Sequence, residues 1–135
     1  MGAKMNEFID HEFENISQKL IDACADPTFG EDQLEPLYVQ FLEFLMENEE
    51  HRQQLVELIL SVMKKYRTAR EVKGRLLPGT AIAYAMHELR WPEVFAFADS
   101  ENREYYAKRM ETSMSNLMDA YSDEWEDRIF YERFQ

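Results

Sequence analysis

Apolar side chains recur along this chain in steps of three and four residues. Met5, Ile9, Phe13, Ile16, Leu20 and Cys24 fall on one helical face. The stretch from Asp26 through Pro27 to Gly30 then ends the pattern. A second helix is predicted from near Glu35. Pro36 takes its first position, where a missing N–H costs nothing, and Leu37, Tyr38, Phe41, Leu42 and Leu45 form the buried face. A third is predicted with Asn48 as N-cap, Glu49 and Glu50 in its first turn, and Lys64, Lys65 and Arg67 in its last. Leu55, Val56, Leu58, Ile59, Leu60, Val62 and Met63 cover a wide arc, which predicts a central helix. If Asn48 breaks the pattern, the second and third helices make an antiparallel hairpin. Asparagine is a weak breaker, so one continuous helix is the rival reading.

The second half begins with a loop from Arg70 to Leu77 that contains Gly74. Pro78, Gly79 and Thr80 start a fourth helix that runs to Trp91. Ile82, Met86 and Leu89 form one stripe; Tyr84, His87, Glu88 and Trp91 lie beside it. Pro92 ends this helix and can begin the next, which sets Trp91 at the vertex of a tight corner, in the core or facing a partner. A long helix capped by Asp99 or Ser100 carries Tyr106, Met110, Met114, Leu117 and Tyr121. Ser122 caps a last helix through Phe134, with Trp125 and Ile129, and Phe130 and Phe134, each four apart. No strand-period alternation is present. The pattern predicts an all-α fold of about six helices, packed as antiparallel hairpins in a bundle or short HEAT-like stack. The length of 135 residues fits one helical domain, with residues 1–4 read as a tag or alternate start.

Charge narrows the partners. The net charge is −12, concentrated before Glu50 and again between Asp119 and Asp127. A basic run, Lys64 to Arg75, reads first as a helix end and solvated loop. Net acidity disfavours nucleic acid and anionic membranes and favours cationic protein partners. No apolar run is long enough to span a bilayer, and the start lacks a signal-peptide layout, so a soluble cytoplasmic protein is expected. The lone Cys24 reads as a small core residue.

Candidate chemistry is sparse. Glu7 with His11 and Glu47 with His51 share helix faces, but not at the spacing that helical metal sites use. His87 lies in a polar-aromatic patch with Tyr84, Glu88, Arg90 and Trp91, yet no second catalytic partner is evident. No phosphate-cradling glycine loop or nucleophile motif occurs. A non-enzymatic protein without cofactor or metal is therefore expected. The acidic run around Tyr121 and Trp125 has a partner-binding composition, although the same aromatics would serve a core. The candidate partner-binding residues are His87, Arg90, Trp91, Asp119, Asp123, Glu124, Trp125, Glu126 and Asp127.

From Pro78 onward the chain resembles a group of small, acidic, all-helical bacterial proteins, some of them immunity proteins of polymorphic toxin systems. The residues that carry the resemblance are Leu89, Arg90, Trp91, Pro92, Glu93 and Val94, then Asp123, Trp125, Glu126 and Asp127. The resemblance implies an inhibitor that occupies a toxin's active site or an essential surface. Two other classes stay open at this level: a self-associating structural or adaptor protein, and a metal binder using His11, His51 or His87.

Overall fold

The computed structural model of the protein describes residues 6–66, 76–107 and 114–134. Expectations that rest on Met5, Gly74, Met110 and the basic run beyond Tyr66 lie outside the described residues. Among the described residues there are six α-helices and short 3-10 turns, with no strand. The fold is an all-α bundle.

Helix α1 (Glu7–Cys24) is capped by Asn6, whose side chain accepts the Phe8 N–H at 2.9 Å. Ile9, Phe13, Ile16 and Leu20 are buried as the stripe predicts. Cys24 is exposed, contrary to expectation, and Ala23 faces the core instead. Each four-residue step advances about 40° around the helix, so a stripe extended by fours drifts off the buried face.

Helix α2 (Glu31–Glu47) starts ahead of the expected Glu35. Gly30 occupies the N-cap, and its N–H donates to the Gln33 side chain at 3.0 Å. Pro36 consequently lies inside the helix and gives up one backbone hydrogen bond. Asn48 does end the second helix, as its C-cap, with Nδ2 donating to the Phe44 carbonyl at 2.8 Å; it is also the N-cap residue of the turn that follows, though without a side-chain capping bond there. A 3-10 turn, Glu49–His51, leads into α3 (Arg52–Lys65). The two helices are not a closely packed pair; α1 packs against both.

The helix enclosed all round is α4 (Gly79–Leu89), not α3. Every residue from Ala81 to Met86 is fully buried. Three alanines in that run let neighbouring helices approach on several sides, and α2 and α6 do so. By contrast α3 buries Leu55, Val56, Ile59 and Met63 but half-exposes Leu58, Leu60 and Val62.

Helix α5 (Pro92–Ala107) starts at the expected proline and runs straight through Asp99 and Ser100, which were expected as caps. Asp99 instead pairs with Arg103 one turn on. Helix α6 (Met114–Asp119) packs on α5 and α4. Ser122 caps no α-helix: its Oγ accepts the Glu124 N–H at 3.1 Å in a local turn. Two 3-10 turns follow, Glu126–Phe130 and Glu132–Phe134. Trp125 and Tyr131 are both buried; six residues of α-helix would set them about 120° apart, whereas 3-10 winding brings residues six apart to one side. Packing therefore outweighs helix propensity in this segment. Among the described residues no helix is long and apolar enough to cross a membrane.

Candidate partner-binding surface

The corner between α4 and α5 is built by Arg90 and Trp91. Arg90 adopts the left-handed conformation (φ 52°, ψ 41°), a position that favours glycine. Its N–H closes α4 on the Met86 carbonyl at 2.9 Å, and its Nη2 lies 2.5 Å from Asp123 Oδ1. That guanidinium holds the Asp123 carboxyl below the usual carboxylate range. Trp91 is 6% exposed, with the Arg52 guanidinium 5.3 Å above its ring. Arg52 also pairs with Glu93 in the first turn of α5. The Trp91 carbonyl accepts the Tyr121 hydroxyl at 2.6 Å, and burial pushes the Tyr121 phenol up. Trp91 is thus a core residue that sews α3, α5 and the chain after α6 together.

Past α6 the chain folds back across α4. Trp125 is 2% exposed, and its Nε1 donates to Asn116 at 3.2 Å. The half-buried His87 ring packs between Trp125 (5.2 Å) and Phe134 (4.5 Å). His87 Nδ1 sits 2.7 Å from the Ala120 carbonyl, which fixes a proton on that nitrogen. The His87 ring thus has a carbonyl on one side and aromatic rings on two others. No cluster of three or more metal-capable side chains occurs among the described residues.

Sequence reasoning missed the next feature. Glu35 is a buried carboxylate on α2 that accepts three hydrogen bonds, from the Tyr84 hydroxyl at 2.7 Å and from the backbone N–H groups of Glu132 at 2.8 Å and Arg133 at 3.1 Å. Desolvation pushes its carboxyl up, but these donors and the Arg133 charge outweigh that and hold it below the usual glutamate range. The rings of Tyr38, Tyr84 and Tyr131 meet around it at centroid separations of 4.8–5.8 Å. Nothing local distinguishes Glu35 from other helix-start acids, because its partners lie far along the chain.

With both tryptophans inside, a different apolar pair faces water. Ile129 is 65% exposed and Phe130 is 51% exposed. Asp119, Asp123, Glu124 and Glu126 are exposed in the same C-terminal region, and Asp127 is half-buried. Asp123 is tied to Arg90; the other four make no ion pair among the described residues. No known family, characterised protein or solved structure matches this chain. Of the nine residues singled out from sequence, Trp91 and Trp125 are packing residues and His87 is half-buried between rings. Arg90 and the five acids lie on or at the surface. What the structure leaves exposed is a mainly acidic C-terminal ridge, Asp119 to Phe130, that carries Ile129 and Phe130 and also the cationic Arg128. Tyr131 is extended and buried between the two 3-10 turns, next to exposed Phe130.

Proposed function

We propose that this protein is a non-enzymatic interaction protein that captures a basic protein partner on its acidic C-terminal ridge. Its most concrete form is an immunity-type inhibitor acting in the cytoplasm on a cationic toxin. The exposure of Ile129 and Phe130 beside a mainly acidic stretch, Asp119 to Asp127, carries this reading. Scattered exposed apolar residues are ordinary; two large neighbours with mainly carboxylates and the cation Arg128 about them have the composition of a binding centre. The carboxylates steer a cationic surface into encounter. The apolar pair then supplies short-range attraction, with about 1.5–3 kcal/mol available for each large side chain fully buried.

The test compares wild type with two double variants, Ile129→Ser with Phe130→Ser, and Glu124→Lys with Glu126→Lys. Each is used as bait for the proteins of its own cell, at low and high salt. A basic protein retained by wild type at low salt, released by high salt, and lost by both variants is the expected result. If every protein held by wild type is also held by both variants, the ridge is not the binding surface.

A further inference from the structure

The chain's end is held in an unusual way. Beyond Tyr131 the last described residues have little core burial of their own: Glu132 and Arg133 are exposed and Phe134 is half-buried. The Arg133–Glu88 ion pair (3.1 Å) joins side chains 36% and 45% exposed, a setting in which such pairs contribute little. Besides the ring contacts of Phe134 with Tyr84 and His87, the segment is held by Glu35, whose two carboxylate oxygens take the consecutive N–H groups of Glu132 and Arg133. A carboxylate receiving paired backbone donors is a strong, charge-dependent anchor.

We propose that Glu35 is a latch that fastens the segment Glu132–Phe134 over α2 and α4, and that its protonation frees this segment and weakens partner capture by the adjoining ridge. The effect on capture rests on the partner-binding reading above; the latch itself does not. The ridge residues Ile129 and Phe130 are separated from the pinned stretch by Tyr131 alone. With the latch open, Phe134 leaves the faces of Tyr84 and His87, and Tyr131 loses the ring packed against it at 6.2 Å. The charged and titratable groups around Glu35 are few. From α4 they are Tyr84, which donates to it, and Glu88; from the chain end, Tyr131, Glu132 and Arg133; from α2, Asp32 and Tyr38. The hollow beside Glu35 is walled by Asp32, Pro36, Val39, Glu132 and Arg133, and α1 contributes nothing to it. Arg133 opposes protonation, while Glu132, Glu88 and Asp32 favour it. Because the folded carboxyl lies below its unfolded value, the latch is intact above the ordinary glutamate range. It opens as the pH falls through the folded value.

Residue-resolved amide exchange on the full chain tests this without any partner. In Glu35→Gln, one oxygen must serve two amides, so protection of Glu132 and Arg133 at neutral pH should fall about tenfold or more. Protection of α2 and α4 should hold. In wild type the same loss should appear on acidification; in the variant it should not depend on pH. Tyr84→Phe, which removes one donor to the carboxylate but none to the chain end, should move the wild-type transition to higher pH. Unchanged protection of Glu132 and Arg133 in Glu35→Gln overturns the latch. So does equal loss throughout α2 and α4, or a transition that Tyr84→Phe leaves in place. Capture that wild type and Glu35→Gln perform equally overturns the link to binding. Should no partner be captured by wild type at any pH, the partner-binding reading fails while the exchange result still decides the latch.

Discussion

Replacing Trp91 by alanine should cost about 4–5 kcal/mol of folding stability. A tryptophan buries up to about 200–250 Å² of surface, and Trp91 is only 6% exposed. At about 25 cal/mol per Å² this gives an upper bound near 5–6 kcal/mol. A compact unfolded chain already hides part of that surface, which lowers the figure by roughly a quarter. Loss of the Arg52 guanidinium's contact with the ring, 5.3 Å from its centroid, restores about 0.5–1 kcal/mol. The sum agrees with the 3–5 kcal/mol typical of deleting a buried aromatic. For a chain of this length, the midpoint should fall by roughly 10–15 °C. Thermal and urea unfolding followed by far-ultraviolet circular dichroism read the change, with Trp125 as an independent fluorescence probe. The backbone carbonyl of residue 91 still accepts the Tyr121 hydroxyl in the variant, so the loss belongs to the ring. A penalty below about 1 kcal/mol would refute the argument that this corner is held by the buried indole. Arg52→Met in the wild-type and Trp91→Ala backgrounds isolates the cation–ring term, which should be non-zero in one and vanish in the other.

The left-handed residue gives a comparison of two variants. Arg90→Gly and Arg90→Ala both lose the Asp123 contact, but only glycine relieves the backbone. Arg90→Gly should therefore be the more stable of the two by about 1 kcal/mol in urea unfolding, and parity would contradict the assigned conformation. Three phenols, Tyr66, Tyr84 and Tyr121, are pushed above the ordinary tyrosine value, chiefly by burial. Their neutral forms are favoured by folding, so their contribution is whole below about pH 10 and is lost as the pH rises through the folded values. Ultraviolet titration should show a late, unfolding-linked phase; all seven tyrosines ionising together near the ordinary value would exclude that burial. The Ile129→Ser, Phe130→Ser double variant should cost under about 1 kcal/mol, since both side chains are already largely hydrated.

The amphipathic rhythm fixed the helical class and most of the buried set. Ile9, Phe13, Ile16, Leu20, Tyr38, Phe41, Leu42, Leu45, Leu55, Ile59 and Met63 are inside as spacing alone requires, because periodicity is a local property of the chain. The breaks near Gly30, Asn48 and Pro92 were equally local. Which helix is central was not. The alanines of α4 carry little hydropathy, yet their small size allows close approach on all sides, and only the other helices reveal that. The C-terminal segment carried acids and a serine suited to starting a helix, but the aromatic hollow over Tyr38, Tyr84 and His87 drew Trp125, Tyr131 and Phe134 into 3-10 turns. That choice placed Ile129 and Phe130 in water. It also joined Glu35 to amides nearly a hundred positions away, at separations of 97 and 98 residues. Local patterning decides which face of a helix is apolar. Only long-range packing decides which apolar residues are left over, and here those leftovers form the candidate surface.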